Sequence, residues 1–218
     1  MQLEEMSAFF EKRIDGYDTH MLEEVPGCKQ GYSLLASLLP ADIETLLDLG
    51  CGTGLELGPI FARFPDLAVT GVDLSQAMLE RLREKYPGRN LSLVCGSYLD
   101  RSFGNDAFDA AVSFQTMHHI GLEEKARVYT AIRNALKPGG LYVECDYVVM
   151  TREEEESLTA QSVRLRQEQN VPAGELCHFD TPLCIENQLL AFQRAGFETA
   201  EFVWREGNTT IFIAAKSR

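Results

Sequence analysis

Between about residues 44 and 148 the sequence alternates short apolar runs with longer amphipathic ones, and this alternation constrains the fold more than any other feature. The short runs have the length and β-branched content of strands, and the longer ones have helical periodicity. Strands joined through a helix lie parallel, because each right-handed crossover returns the chain to the same edge of the sheet. We therefore predict an α/β fold with a doubly wound, mostly parallel sheet.

The predicted elements of this core have clear boundaries. Five strands are predicted: Glu44–Leu49, Ala68–Asp73, Leu91–Cys95, Ala107–Phe114 and Leu141–Val149. Three helices lie between them: Leu55–Phe64, Gln76–Tyr86 and Leu122–Leu136. Ser75 is a plausible N-cap for the second helix, and Pro138-Gly139-Gly140 stops the third. Pro59 falls within the first helix, where it lacks a donor and should disturb a turn.

The C-terminal part departs from this alternation. Thr181 followed by Pro182 predicts the start of a helix, and Gly196 predicts its end. Two strand-like runs follow, Glu198–Arg205 and Thr209–Lys216, separated by three residues. So short a turn allows only an antiparallel hairpin, so the sheet is expected to close with one.

Two helical segments lie outside the predicted sheet, one over residues 3–39 and a polar one over residues 152–169. Both could cover the carboxyl ends of the strands, where open α/β sheets bind ligands. We predict one domain of residues 1–218, with a core of about 40–150 and 181–218 and a helical cap of about 3–39 and 152–180.

The charge balance argues against two classes of partner. Twenty Lys and Arg against 33 Asp and Glu give a net charge of −13, which disfavours nucleic acid and anionic membranes. No apolar run approaches the roughly 20 residues that span a bilayer, and the acidic N-terminus is unlike a signal or transit peptide. Six scattered cysteines favour a reduced cytoplasmic protein. Cys177, His178 and Cys184 lack the paired spacing of a zinc site, so no metal site is predicted.

The glycine loop Gly50-Cys51-Gly52-Thr53-Gly54 sits at the first strand-to-helix turn, where such sheets bind nucleotide-like ligands. Its G-x-G-x-G spacing differs from the G-x-G-x-x-G that seats a pyrophosphate, which argues against an NAD-dependent dehydrogenase. Asp48 just before it would repel a phosphate and attract a cation. Asp73, at the end of the second strand, can accept both ribose hydroxyls of an adenosine, and Ser97 and Tyr98 lie where an adenine edge would follow.

In order, LDLGCGTG, VTGVDLSQAML, VCGSYLD, FDAAVSFQTMHHI and LKPGGLYVE resemble the motifs of the class I S-adenosylmethionine-dependent methyltransferases, over roughly residues 44–216. The resemblance implies a Rossmann-like sheet of seven strands in the order 3-2-1-4-5-7-6 with the last antiparallel. It implies S-adenosylmethionine as the cofactor and S-adenosylhomocysteine as the product. Within the family, the chain is most similar to small bacterial enzymes of unassigned substrate. It is more distantly similar to carboxy-S-adenosylmethionine synthase, through Gly16-Tyr17-Asp18 and Ala195-Gly196-Phe197.

The same resemblance implies the cofactor contacts. The loop backbone would face the methionine part, Asp48 its ammonium and Asp73 the ribose, and Tyr17 would close over the cofactor. Ser97 stands where many relatives have an Asp that accepts from the adenine amino group. The full implied set is Asp48, Gly50, Cys51, Gly52, Asp73, Leu74, Met78, Ser97, Tyr98, Gln115, Tyr17 and His20.

Candidate catalytic residues are His118, His119 and Tyr17. The two histidines follow the fourth strand, where one could take a proton from an acceptor or orient it. The alternative, that one caps local backbone and the other is packed, stays open. His178 and Asp180 form a further pair, for which loop solvation is the favoured role.

The expected reaction is methyl transfer to a small-molecule acceptor by in-line displacement. The sequence has neither the N-P-P-Y nor the Pro-Cys motif of nucleic-acid methyltransferases after the fourth strand. Two alternatives remain: a carboxy-S-adenosylmethionine synthase-like activity, which needs a cation such as Arg164 or Arg166 near the sulfonium side chain, and a non-catalytic binding module. The acceptor and the oligomeric state, including a homodimer, are left open.

Overall fold

The computed structural model describes residues 2–99, 101–172 and 174–218, so Asp100 of the VCGSYLD motif lies outside the described residues. One sheet has the order β3-β2-β1-β4-β5-β7-β6. The strands are β1 Thr45–Leu49, β2 Ala68–Asp73, β3 Leu91–Cys95, β4 Phe108–Phe114, β5 Leu136–Tyr147, β6 Thr199–Glu206 and β7 Thr209–Ala215. The first five are parallel, and β7 is antiparallel to both neighbours. The predicted fold class and strand order are confirmed.

Helices cover both faces of the sheet and its carboxyl edge. They are α1 Met6–Glu11, α2 Ile14–Thr19, α3 Cys28–Leu38, α4 Leu57–Arg63, α5 Gln76–Lys85, α6 Leu122–Ala135, α7 Arg152–Glu168 and α8 Ile185–Arg194. A π-helical turn, His20–Glu24, follows α2, and a 3-10 turn, Met117–His119, follows β4. The N-terminal stretch is therefore three short helices, with Gly27 at φ +86° where α3 begins.

The core consists of two apolar layers, one on each face of the sheet. Consecutive residues of β1 point to opposite faces, so Leu46 packs with α3, α4 and α5 while Leu47 packs with α6 and α8. Strands buried on both faces read as continuous apolar runs, which is why the sequence pattern locates them well. This packing holds the carboxyl ends of β1, β2, β4 and β5 together at one edge.

Three predicted boundaries are wrong, each for a local reason. Helix α4 begins at Leu57 and not Leu55, so Pro59 lies in the first turn, where a missing N–H costs nothing. Helix α8 begins at Ile185 and not at Thr181. The amide of Thr181 donates to the carbonyl of His118 (2.8 Å), and Cys184 forms an isolated β-bridge with Val149, just after β5. Strand β5 begins at Leu136, before the Pro-Gly-Gly segment, and its pairing shifts register there.

Two other expectations bear on location. All six cysteines are free thiols, and four of them are buried: Cys28, Cys51, Cys145 and Cys184. Among the helices of the described ranges, none has both the length and the apolar character needed to cross a membrane.

Candidate cofactor and acceptor site

The glycine loop leaves β1 in a conformation that needs glycine. The amides of Gly50 and Cys51 both donate to the carbonyl of Val72, at 2.7 and 3.2 Å, which turns the chain sharply toward β2. Gly50 has φ +66° and Gly52 has φ +45°, in the left-handed region. A Cβ on Gly50 would lie 2.2 Å from Oγ1 of Thr116, so no other residue fits there.

Asp73 fixes this loop from the end of β2. Its Oδ2 accepts from the amide of Gly52 (2.9 Å) and its Oδ1 from the amide of Ser75 (2.8 Å). Burial raises the pKa of Asp73, and these backbone hydrogen bonds oppose that rise. Each carboxylate oxygen keeps a second acceptor position, which suits a pair of ribose hydroxyls.

Two more carboxyl groups, Asp48 and Glu56, are buried beneath the loop. Neither oxygen of Asp48, nor Oε1 of Glu56, has a hydrogen-bond partner among the described residues. Burial, together with repulsion from Glu56, raises the pKa of Asp48 well above its usual range, and burial raises the pKa of Glu56 to about 7. Two buried carboxyl groups this close together disfavour a phosphate, and a bound cation such as an ammonium or sulfonium group would lower their pKa values and restore their charge. Sequence reasoning identified Asp48 and missed Glu56.

Replacing Glu56 by glutamine is expected to change the pH dependence of stability. The folded-state pKa of about 7 exceeds the reference value of 4.5, so protons leave the unfolded chain first as pH rises. The contribution of Glu56 is thus fully present below pH 4.5 and is lost as pH rises through about 7. Relative to Glu56→Gln, the natural chain should lose on the order of 2 to 3 kcal/mol of unfolding free energy over that range.

Urea unfolding at intervals from pH 5 to pH 8 measures this difference. Glu84→Gln is the matched control, because the Glu84 side chain is 76% exposed and lies on α5. A pH-independent difference between Glu56→Gln and the natural chain would show that Glu56 does not titrate with a raised pKa.

A small cavity lies in front of the loop, and we call it the inner cavity. Nine residues of the implied cofactor set line it: Tyr17, Gly50, Gly52, Asp73, Leu74, Met78, Ser97, Tyr98 and Gln115. Asp48 and Cys51 are buried below the loop instead, and His20 sits on the exposed π-helical turn, paired with Glu24. The free volume is about 60 Å³, because the cap also contributes Met6, Phe10 and Leu176 to the walls. Entry of a nucleoside therefore requires these cap residues to move.

Helix α2 is fastened to the loop by Asp18. Its carboxylate accepts from the hydroxyl of Thr53 and from Nζ of Lys85 (2.6 Å). This holds the neighbouring Tyr17 over the inner cavity, with its hydroxyl 3.8 Å from the position of a Cβ on Gly52. Burial, with the carboxyls of Glu56 and Asp73 nearby, raises the pKa of Tyr17, so the phenol keeps its proton and acts as a donor.

A larger cavity of about 880 Å³, the outer cavity, adjoins the inner one. The two share four lining residues: Phe10, Tyr17, Gln115 and His119. Gln115 has φ +50°, rare for a residue with a side chain, and Nε2 of its side chain donates to Oγ1 of Thr209 at 3.0 Å. The four shared residues thus separate the inner cavity from a second, larger ligand space.

The histidines after β4 meet a carboxylate from the cap. His118 Nδ1 lies 2.7 Å from Oδ1 of Asp146, while His118 Nε2 and His119 Nδ1 each lie 3.5 Å from Oδ1 of Asp180. Burial lowers the pKa of His118, but Asp146 and Asp180 outweigh it and raise the pKa to about 9. Burial and the neighbouring imidazolium lower the pKa of His119 to about 3. At neutral pH neither is poised as a general base.

Behind His118 lies a buried polar network that the sequence analysis did not identify. Lys125 of α6 is fully buried, and its Nζ lies 3.2 Å from Asp146, 2.7 Å from Oε1 of Gln188 and 3.7 Å from Glu144. Glu144 also accepts from Nε2 of Gln188 at 2.6 Å. The network ties β5 to α6 and α8 and fixes the orientation of Asp146.

Comparison with known proteins agrees with this geometry. A family profile described as a methyltransferase domain matches residues 46–140, which contain the loop, Asp73 and both histidines. Carboxy-S-adenosyl-L-methionine synthase of Campylobacter fetus is 26% identical, with the alignment covering 95% of this chain and 94% of that protein.

Solved structures give the same fold. An O-methyltransferase family structure from Nostoc punctiforme superposes with a TM-score of 0.71 at 17% identity, over 99% of this chain and 63% of that one. Phosphoethanolamine N-methyltransferase 2 of Haemonchus contortus, in complex with phosphomonomethylethanolamine and S-adenosylhomocysteine, superposes with a TM-score of 0.72 at 18% identity, over 97% of this chain and 60% of that one. The chain therefore spans just under two thirds of these two neighbours.

The acceptor atoms at and below the glycine loop fit S-adenosylmethionine. Asp73 offers free acceptor positions for a ribose, and the buried carboxyl of Asp48 has two oxygens without partners that an ammonium above the loop would ionise. Gly50 and Gly52 leave the backbone open to close approach. In its methyltransferase-domain profile over residues 46–140, its related sequences and its seven-stranded sheet, this chain is similar to the S-adenosylmethionine-dependent methyltransferases, and these comparisons indicate S-adenosylmethionine as the cofactor.

Proposed function

We propose that this chain transfers the methyl group of S-adenosylmethionine to a small-molecule acceptor, by in-line displacement. One observation carries the proposal: the inner and outer cavities meet at a wall made by Phe10, Tyr17, Gln115 and His119. An acceptor in the outer cavity can thus approach a reactive group held in the inner one. The solved neighbour crystallised with phosphomonomethylethanolamine supports a small acceptor, as does the charge of −13.

The cofactor supplies an electrophilic methyl group on a sulfonium centre. In this proposal Asp73 holds the ribose, the backbone of Gly50, Cys51 and Gly52 holds the methionine part, and Asp48 attracts its ammonium. The remaining predicted contacts keep their proposed roles: Leu74 and Met78 against the adenine, Ser97 and Tyr98 at its edge, and Gln115, Tyr17 and His20 closing the site.

On the acceptor side, Tyr17 and His119 orient the acceptor and do not deprotonate it. The protonated phenol of Tyr17 donates, and the neutral imidazole of His119 contacts the acceptor without taking its proton, as their pKa shifts indicate. His118 is held by Asp146, and its ring packs against the ring of His119. Positioning and exclusion of water are the main contributions the protein can make to an in-line displacement.

The direct test incubates the purified chain with S-adenosylmethionine and a soluble small-metabolite extract, followed by mass spectrometry. We expect S-adenosylhomocysteine and one methylated small product in equal amounts. Formation of S-adenosylhomocysteine with the methyl group found only on protein or nucleic acid would contradict a small acceptor.

Replacing Tyr17 by phenylalanine removes one donor at the shared wall. Loss of a hydrogen bond made at the reacting centre corresponds to about 1.5 to 3 kcal/mol, so kcat should fall by about 10- to 100-fold. Tyr147→Phe is the control, because Tyr147 lines the outer cavity only and should raise KM more than it lowers kcat. Equal kcat values for Tyr17→Phe and the natural chain would remove Tyr17 from the proposal.

The second candidate is cofactor carboxylation, which the full-length likeness to carboxy-S-adenosyl-L-methionine synthase favours. Cofactor carboxylation needs a cationic side chain at the inner cavity. Arg166 instead donates to the carbonyls of Pro172 and Glu175, and Arg164 is exposed. Since no Lys or Arg of the described ranges lines the inner cavity, methyl transfer is preferred. Mass spectrometry of the ligand that co-purifies with the chain distinguishes the two.

The outer cavity also argues against a purely non-catalytic binding module, whose cap would fill that space. The same proposal includes a single domain with its cap at residues 3–39 and 152–180, a cytoplasmic location and no nucleic-acid or membrane partner. A homodimer stays open, and size-exclusion chromatography with light scattering measures it.

A further inference from the structure

Beyond the cofactor site, three side chains from two separate segments converge on the side of the shared wall that faces the outer cavity. Atoms of His118, His119 and Asp180 that can each ligate a metal ion all lie within 4.8 Å of one another. His118 and His119 belong to the 3-10 turn after β4, and Asp180 belongs to the cap. All three side chains line the outer cavity.

The spacing within this group suits a shared cation better than direct hydrogen bonds. Both histidine nitrogens lie 3.5 Å from Oδ1 of Asp180, beyond the usual range of N–H···O bonds. Two ligands about 2.1 Å from a tetrahedral ion are separated by about 3.4 Å. The two separations between the histidine nitrogens and Oδ1 of Asp180 therefore match ligands of one ion.

Two of the three ligand atoms lack any hydrogen-bond partner among the described residues. These are Nδ1 of His119 and Oδ1 of Asp180, both buried. The His119 side chain is only 7% exposed, so water does not readily satisfy its nitrogen. Buried polar atoms without partners are rare, and an ion between them accounts for both.

The third ligand is oriented from behind. Nδ1 of His118 faces Oδ1 of Asp146 at 2.7 Å, which directs Nε2 toward Asp180. A carboxylate that holds the far nitrogen of a histidine is the usual support of a metal-binding imidazole. Asp146 is itself held by Lys125 at 3.2 Å, so the orientation is built into the core.

The backbone holds the cap ligand in place on both sides. The amide of Thr181 donates to the carbonyl of His118 (2.8 Å), and the amide of His178 donates to the carbonyl of Glu4 (2.9 Å). His178 also stacks on Phe9, with 3.5 Å between ring centroids, and its Nε2 lies 4.0 Å from Oδ1 of Asp180.

We propose that His118, His119 and Asp180 bind one divalent transition-metal ion at the wall between the two cavities. Two imidazole nitrogens and one carboxylate oxygen suit Zn²⁺ and similar borderline ions. Binding exchanges the Nε2 proton of His118 for the ion. Three protein ligands leave a position toward the outer cavity, where an oxygen or nitrogen of a small ligand can coordinate. The metal site does not depend on the identity of the acceptor or on methyl transfer.

Calorimetric titration of the chelator-treated chain with Zn²⁺ tests this. We expect one ion per chain, and an affinity loss of about 100-fold or more in His119→Asn and in Asp180→Asn, because each removes one of three ligands. Titration with Co²⁺ gives a second readout, the visible absorption of the bound ion, which should change or disappear in the same variants. Asp180 is 40% exposed, so Asp180→Asn should fold even if a variant of buried His119 does not.

His20→Gln and Cys177→Ser are the controls, since they remove a histidine and a thiol outside the group and should leave the affinity unchanged. Equal Zn²⁺ affinity in the natural chain and in Asp180→Asn, or loss of affinity only in the controls, would overturn the proposal. S-adenosylmethionine binding, measured on the same samples, separates this failure from failure of the methyltransferase function.

Discussion

Replacing Lys125 by methionine is expected to lower the free energy of unfolding by about 3 to 5 kcal/mol, because it leaves buried charge uncompensated. Lys125 is fully buried and is the cation between Asp146 (3.2 Å) and Glu144 (3.7 Å). Burial raises the pKa of Glu144, and Lys125 opposes that rise. Methionine keeps the length of the side chain, so the effect reports mainly the lost charge.

Urea unfolding of Lys125→Met near neutral pH measures this loss. Arg127→Met is the matched control, because Arg127 lies on the same helix with its side chain 67% exposed. We expect the control to unfold like the natural chain. A loss in Lys125→Met no larger than in the control would mean that the carboxyl groups of β5 do not need this cation.

Replacing Asp73 by alanine is expected to weaken S-adenosylmethionine binding by about 100- to 1,000-fold. The carboxylate would hold the ribose, and hydrogen bonds to a charged group each contribute about 1.5 to 3 kcal/mol. The same carboxylate also accepts from the amides of Gly52 and Ser75, so its loss frees the glycine loop. Both effects act in the same direction.

Calorimetric titration with S-adenosylmethionine measures the affinity. Asp66→Ala is the matched control, since Asp66 is an exposed carboxylate in the turn before β2. Asp73→Asn separates the two effects in part, because its one amide oxygen can still accept from one of the two backbone amides but the side chain lacks the charge. Unchanged affinity in Asp73→Ala would place the ribose elsewhere.

The centre of the sheet could be predicted from the sequence because its strands there are buried on both faces. Apolar runs in the sequence indicated β1, β2 and β4. The short turn between the two C-terminal strand-like runs, which became β6 and β7, required a hairpin. Helix starts were harder to predict. Pro59 fits α4 only because the helix begins two residues late, and Thr181 is occupied by a tertiary hydrogen bond to His118.

The sequence predicts the parts of the candidate site that lie at the end of a strand or in the turn directly after it. The glycine loop and Asp73 are such positions, and they line or support the inner cavity. The polar network was missed although Glu144 and Asp146 interrupt an apolar strand, a pattern that signals buried charge. Their partner Lys125 lies on an amphipathic helix, where the sequence alone suggests an exposed lysine.

The convergence at the shared wall had no sequence signal of its own. His118 and His119 follow β4, whereas Asp180 lies in a cap loop whose position depends on tertiary contacts with the N-terminal segment. Spacing rules for metal sites look for ligands close together in the chain, so they could not find this group.

The central claim is that a methyl group is transferred where the inner and outer cavities meet. A crystal structure of the chain with S-adenosylhomocysteine bound tests it most directly. We predict the ribose hydroxyls within hydrogen-bond distance of Asp73 and the sulfur directed at the wall shared by Tyr17 and His119. A sulfur directed away from the outer cavity, or a ligand bound elsewhere, would contradict the claim.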